Sequence, residues 1–211
     1  MTARSGFPVV VAAPSGTGKT TVCKLIVERD DEIVFSVSHT TRPRRHGETD
    51  GRDYHFVTEA EFAGLIEEGG FLEWAVYNDR RYGTSWDAID APLARGLEVL
   101  LEIEVQGARQ VRQRRPDARF VFLVPPSLDT LRERLERRGT DAPEQVERRL
   151  RVAREELAAI GNFDYAVVND DLERCVDEVL AILAAERCGD TQALRQRLDP
   201  ARAARRLQTG R

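Results

Sequence analysis

An apolar run, Phe7-Pro-Val-Val-Val-Ala-Ala13, passes without a break into Pro14-Ser-Gly-Thr-Gly-Lys-Thr20 and then into a helical pattern that reaches Arg29. This order of buried strand, glycine-rich turn and helix constrains the fold more than any other feature of the chain. Gly16 and Gly18 let the backbone wrap with its N–H groups pointing inward, and the helix that follows turns its N-terminus toward the same point. Residues 13–20 match the pattern GxxxxGK[ST], except that Ala13 stands in place of the first glycine; the departure bears on backbone freedom more than on chemistry. A loop of this kind holds the phosphates of a nucleoside triphosphate, with Lys19 reaching the β- and γ-phosphates and the Thr20 hydroxyl ligating Mg2+. The candidate nucleotide-binding stretch is Ala13, Pro14, Ser15, Gly16, Thr17, Gly18, Lys19, Thr20 and Thr21. Lys19 and Lys24 are the only lysines, every other cation being Arg, so a lysine inside the loop is conspicuous.

Beyond the loop, short β-rich runs alternate with helical patterns, which predicts an α/β fold with a mostly parallel central sheet. The strands read as Phe7–Ala13, Val34–Ser38, Val99–Glu104, Phe120–Val124 and Tyr165–Asn169, with a first helix over Thr20–Arg29. Two segments interrupt the alternation. Residues 39–85, with pieces such as Tyr54-His-Phe-Val57 and Phe71-Leu-Glu-Trp-Ala-Val-Tyr77, read as an inserted β-containing lobe. Residues 127–160 are charge-dense and helical, broken at Gly139 to Pro143, and read as a helical lid. The core is then 7–38, 86–126 and 161–187, within a domain spanning 1–187. Residues 188–211 form a basic tail that is either an amphipathic helix through Leu194, Leu198 and Leu207 or partly disordered.

A length of 211 residues suits one domain with a small appendage. At 41% hydrophobic and 32% charged the composition is neither disordered nor membranous, and no apolar run approaches the roughly 20 residues a spanning helix needs. Arg4 ahead of the run from Phe7 has the look of a signal peptide, but the run is short and flows into the loop, so secretion is not expected. Cys23, Cys175 and Cys188 are widely spaced, and His39, His46 and His55 read as polar loop residues without ligand spacing. A reducing cytoplasm is the expected location. Residues 187–211 carry seven Arg against two Asp, which leaves 25 basic and 34 acidic side chains elsewhere. An acidic body argues against a broad nucleic-acid surface; the tail is the segment suited to a polyanion.

A second cluster of chemistry follows the loop. Val37-Ser-His-Thr-Thr-Arg-Pro-Arg-Arg-His-Gly-Glu48 and Gly51-Arg-Asp-Tyr-His-Phe56 gather Arg42, Arg44, Arg45 and Tyr54, and Arg forks with a tyrosine hydroxyl make a small anion clamp matched to a monophosphate. Arg44, His46 and Arg52, and likewise Arg80 and Arg81, are equally consistent with solvated loop charge. Taken in order, SVSHTTRxxRxGE, GxDYxF, FLEWA, YGT, Glu102-Ile-Glu-Val-Gln-Gly107, Pro125-Pro-Ser127, Arg138-Gly-Thr140 and Val168-Asn-Asp-Asp171 resemble guanylate kinase over about residues 7–187.

The resemblance implies a three-layer P-loop nucleoside monophosphate kinase fold and the reaction ATP + GMP → ADP + GDP, with dGMP as a second acceptor, Mg2+ as cofactor and no membrane partner. By motif, Arg42, Arg45 and the hydroxyls of Tyr54 and Tyr82 would hold the GMP phosphate, with Glu48 in the same stretch. Ser38, Glu73 and Thr84 would read guanine. The chemistry supports this, because guanine offers N1–H and the 2-amino group to one carboxylate, whereas adenine presents an acceptor at N1. Alone, Glu73 would read as a strand-surface carboxylate beside Trp74. Glu102 and Glu104, two apart at a strand end, are expected on one face, holding waters of Mg2+ or the nucleoside; the family often has Asp here, and which of the two organises the ion stays open. Arg138 and Arg149 match lid arginines that contact the transferring phosphoryl group, and Asn169 matches a residue beside adenine. Arg132, Arg134, Arg137, Arg148, Arg151 and Arg154 read as solvated helix faces in i,i+4 pairs with Glu. The rival readings are a non-catalytic guanylate-kinase-like scaffold module, in which the phosphate loop is degraded, and a phosphate-loop kinase acting on a ribose phosphate.

Overall fold

The computed structural model describes residues 6–77, 79–137 and 143–209. Strand β1 (Pro8–Ala12) leads into helix α1 (Lys19–Arg29) and then β2 (Ile33–Phe35). Next come β3 (His39–Thr40), β4 (His55–Phe56), α2 (Glu59–Glu67), β5 (Phe71–Tyr77) and β6 (Arg80–Ser85). The alternation resumes with α3 (Asp87–Ala94), β7 (Glu98–Glu102), α4 (Val105–Arg114) and β8 (Arg119–Val124). Helices α5 (Leu128–Arg137) and α6 (Pro143–Leu157) precede a 3-10 turn at Ile160–Asn162 and strand β9 (Tyr165–Val168). The chain closes with α7 (Leu172–Cys188), α8 (Gln192–Arg197) and α9 (Pro200–Thr209).

The large sheet has the order β2-β7-β1-β8-β9, with β2 parallel to β7 and β8 parallel to β9. Its strands are continuous apolar runs rather than alternating ones: all five residues of β1 are buried, as are five of six in β8. That is how a parallel strand covered on both faces reads. A smaller sheet, β4-β3-β6-β5, lies wholly within residues 39–85. The chain forms two compact units, one comprising residues up to Val10 with Asp31–Arg119, the other Val11–Asp30 with everything from Phe120 onward.

Several elements depart from the sequence reading. Strand β2 ends at Phe35 and does not continue to Ser38: the Ser36 N–H and hydroxyl still donate to the Leu100 carbonyl of the large sheet (3.0 and 3.2 Å), but two residues later the Ser38 carbonyl accepts from His55 N–H of the small sheet at 2.9 Å. The chain changes sheets across those three residues. His39 and His55 are strand residues, not loop residues, paired across β3 and β4 with ring centroids 4.7 Å apart. Burial first, then His55, holds the His39 imidazole below its ordinary pKa. Residues 138–142, and with them Arg138, lie outside the described residues.

Helices α5 and α6 pack through Leu131, Leu135, Val146, Leu150 and Ala153, a stripe at helical spacing in otherwise charged sequence. Arg132 bonds Glu147 on the neighbouring helix, rather than a glutamate on its own helix as expected. No helix among the described residues is long and apolar enough to cross a membrane.

The tail is two short helices. Gly189, at φ 76°, ends α7 in the left-handed conformation that suits glycine. Leu198, between α8 and α9, is 8% exposed, and its carbonyl accepts from Ala166 N–H at 2.8 Å, which blunts the outer edge of β9. The Tyr165 hydroxyl donates to Glu186 Oε1 at 2.5 Å, and Arg195 donates to the same oxygen at 2.7 Å with its guanidinium 5.1 Å from the Tyr165 ring. Burial, then the Glu186 carboxylate, pushes the Tyr165 phenol well above its ordinary pKa. Removing the chain after Cys188 should lower Tm by roughly 5 °C or more, since it strips a buried leucine and the cover of a strand edge; thermal unfolding followed by circular dichroism checks this.

Candidate functional site

The phosphate loop joins β1 to α1. Gly16 and Gly18 have φ of 92° and 96°, and both are closely approached: a Cβ at 16 would stand 2.9 Å from Leu135 Cδ2, and one at 18 would stand 2.9 Å from Asn169 Nδ2. Ala13 is buried and its φ is not in the left-handed region, so the missing first glycine brings no backbone strain. Pro14 is buried and its carbonyl accepts from Thr17 N–H at 3.1 Å, while Ser15 is half-buried. Lys19, Thr20 and Thr21 open α1, which has neither a side-chain cap nor an acidic residue in its first turn. The positive end of that helix is thus left for an anionic ligand.

What shapes the loop lies outside it. The Thr17 carbonyl accepts from Asn169 Nδ2 at 2.7 Å and from Arg134 Nη1 at 3.2 Å, and Arg134 Nη2 donates to the Asn169 carbonyl at 2.9 Å. Three residues from three segments form a closed ring around one carbonyl. Arg134 was expected on a solvated face and instead braces the loop. Asn169, whose residue is 6% exposed, braces it too. Charge spacing along α5 gives no hint of the role of Arg134, which only the tertiary contact reveals. Arg149 on α6 is half-buried beside Leu150 of the α5–α6 core.

The residues expected to clamp an anion gather in the small sheet and its loops. Arg42 grips Glu48 with both arms of its guanidinium, Nη1 to Oε2 at 3.0 Å and Nη2 to Oε1 at 2.7 Å, and Nη1 also donates to the Pro43 carbonyl at 2.8 Å. Glu48 Oε2 accepts from Arg45 N–H at 2.7 Å. The Arg42 guanidinium lies 5.4 Å from the Tyr54 ring, itself 6.0 Å from Tyr82. Arg42, Tyr54, Tyr82 and Glu48 thus come together, with Arg45 tied in through its backbone. Arg44, His46 and Arg52 are exposed, and Arg81 pairs with Glu59 at 3.3 Å.

Beside the clamp is a buried polar chain. Phe71 pairs with Ser85, so an even ladder would set Glu73 opposite Gly83; a bulge sets it opposite Thr84 instead. Thr84 is fully buried and donates to Glu73 Oε1 at 2.7 Å, and Ser38 Oγ lies 3.2 Å from Thr84 Oγ1. Since the single Thr84 proton goes to the carboxylate, Ser38 is the donor to Thr84. Glu73 is 4% exposed, not a surface carboxylate, and it lies against Gly107 in the first turn of α4, which the sequence marks only as the end of a motif. Strand β7 ends at Glu102, half-buried, while Glu104 is the flanking residue of α4, so the two do not both belong to the strand as expected.

The Arg42 guanidinium, ahead of the Arg45 N–H, holds the Glu48 carboxyl below its ordinary pKa. A carboxylate lowered by folding stabilises the native state in full above its unfolded value of about 4.3, and that contribution is lost as pH falls through the lower native value. Glu48→Gln should therefore flatten the acid limb of Tm against pH below about pH 4 while costing stability at neutral pH. Arg134→Ala should weaken Mg·ATP affinity about tenfold, measured by titration calorimetry, by taking its donor from the Asn169 carbonyl and leaving the Thr17 carbonyl to Asn169 alone.

Comparison with known proteins fits this geometry. The sequence profile named Guanylate kinase matches residues 5–186. Guanylate kinase of Thermobifida fusca is 51% identical over 176 residues, covering 83% of this chain and 90% of that one. Guanylate kinase of Caldanaerobacter subterraneus subsp. tengcongensis is 42% identical over 185 residues, covering 88% and 90%. The crystal structure of guanylate kinase from Anaplasma phagocytophilum superposes with a TM-score of 0.74 at 33% identity, covering 89% of each chain. The chain belongs to the guanylate kinase family.

Proposed function

We infer that the chain transfers the γ-phosphoryl group of ATP to GMP, and to dGMP, by direct in-line displacement. The observation that carries this is the buried Ser38–Thr84–Glu73 chain standing in the same lobe as the Arg42–Tyr54–Tyr82 clamp. A purine with two adjacent donors fits the first, and a monophosphate fits the second. Each Glu73 oxygen keeps a lone pair after Thr84 has donated, so the carboxylate can accept N1–H and the 2-amino group together. Ser38, donating to Thr84, keeps its own lone pairs for the base.

An oxygen of the GMP phosphate attacks the γ-phosphorus as the bond to the β-bridging oxygen breaks, and ADP leaves. The nucleophile is already anionic, so no general base is needed, and catalysis rests on position and charge. Lys19 and Arg149, with Arg138, are assigned to the phosphates. Thr20 would hold Mg2+: its exposed hydroxyl, next to Lys19 in the first turn of α1, is a hard oxygen donor of the kind the ion takes beside nucleotide phosphates. Bound there, the ion would neutralise charge on those phosphates. Leu131 and Leu135 of α5 lie against Gly16, which puts the α5–α6 pair where it can keep water from the loop. A nucleotide-recycling enzyme of this kind belongs in the cytoplasm.

The test is ADP formation from Mg·ATP with GMP, dGMP, AMP, CMP, UMP or no acceptor. Turnover is expected with the two guanine nucleotides alone. Lys19→Ala should lower kcat about a hundredfold or more, and Glu73→Gln should lower kcat/KM for GMP by about a hundredfold while leaving AMP little changed. Near-normal turnover in Lys19→Ala would overturn the mechanism. Failure with every acceptor by a folded protein that binds GMP would favour a non-catalytic scaffold.

A further inference from the structure

Gly107 is the third residue of α4, where glycine weakens a helix relative to alanine. Its φ is not in the left-handed region, so the backbone does not require glycine there. The atoms nearest to a Cβ at that position would belong to two side chains, Glu73 and Ile103. It would stand 3.4 Å from Ile103 Cδ1, an ordinary contact, but 3.1 Å from Glu73 Cδ and closer than 3.0 Å to Glu73 Oε2. The obstacle is the end of one flexible side chain, on a different element.

We propose that Gly107 is a positioning residue for acceptor specificity: the empty space at its Cα is what lets the Glu73 carboxylate stand where it does, aligned for guanine. This rests on the reading of Glu73 as the guanine acceptor. Thr84 holds Oε1 from the β6 side at 2.7 Å, and the first turn of α4 backs Oε2. With the residue 4% exposed, the carboxylate is fixed between those two walls. A methyl group at 107 pushes it off the α4 wall until an ordinary separation of about 3.3 Å is restored. The carboxylate then shifts relative to N1–H and the 2-amino group, and a displacement of this order is costly in a site built on paired hydrogen bonds. The fold itself has no reason to change, since the substituted residue is the better helix former.

Steady-state kinetics with GMP, IMP and AMP on the full chain, together with Tm, test this in four variants: Gly107→Ala, Glu73→Asp, the double variant and Glu73→Gln. IMP lacks the 2-amino group and so reports on half of the pairing. Gly107→Ala should raise KM for GMP about tenfold or more and shrink the preference for GMP over IMP, with KM for ATP within about twofold of the parent. Tm should stay within about 3 °C. Glu73→Asp draws the carboxylate back from α4, so in that background Gly107→Ala should cost less than about twofold, a strong departure from additivity. Equal losses in both backgrounds, a parallel rise in KM for ATP, a larger fall in Tm or an unchanged KM for GMP would each overturn the proposal. The Glu73→Gln arm separates the two levels: if it loses GMP preference while Gly107→Ala keeps it, only the role of Gly107 fails, whereas retained preference in Glu73→Gln removes the reading of Glu73 itself.

Discussion

The carbonyl of Thr17 is the point on which the donor site hangs. A loop that offers its N–H groups to phosphate has to turn its carbonyls away from the ligand, and a buried carbonyl needs partners. Here two donors converge on it, the Asn169 amide from the end of β9 and the Arg134 guanidinium from α5, and those two residues are bonded to each other. Held in this way, Gly16 and Gly18 keep their left-handed backbone before any nucleotide arrives, so the ordering of the loop is not charged against binding. The same contacts join the loop to helix α5 and to the end of the last strand of the sheet.

The small sheet answers a different problem, that of burying a carboxylate without losing its ability to accept. Burying an ionised group is expensive unless hydrogen bonds replace water. One strand bulge brings Thr84 opposite Glu73, and one side-chain-free residue on α4 leaves room for the other oxygen. The clamp nearby solves the mirror-image problem for Arg42, whose charge is matched by Glu48 and whose flat face is covered by Tyr54. Both groups are therefore set in place by their neighbours, Glu73 by Thr84 and Arg42 by Glu48 and Tyr54.

Strand, turn and helix around residues 7–29 were legible because buried strands and phosphate loops carry local signatures, and Gly16, Gly18, Lys19 and Thr20 sit in the loop and first helical turn as the pattern requires. Glu73, Thr84 and Ser38 were legible through motif, though their hydrogen bonds to one another were not. What escaped the sequence was whatever depends on a neighbour distant along the chain. Arg134 is one arginine among many on an amphipathic helix, and its partner Thr17 lies 117 residues away. Gly107 looks like a helix residue of low propensity until Glu73 is seen beside it. Strand ends were misplaced where the chain leaves one element for another, between sheets after Ser36 and into α4 at Glu104.

The division of the chain between its two units bears on how the protein is made. Asp31–Arg119, nearly all of the acceptor unit, is one continuous stretch whose contacts can form as it leaves the ribosome. The donor unit joins Val11–Asp30 to residues from Phe120 onward, so its loop waits for Arg134 and then Asn169 before it can take its shape. Leu198 comes later still, and until it arrives the Ala166 N–H on the edge of β9 is open to other strands. Synthesis thus delivers the unit that holds Glu73 and Arg42 first, and the last few dozen residues decide when the unit that holds the phosphate loop is sealed against misassembly.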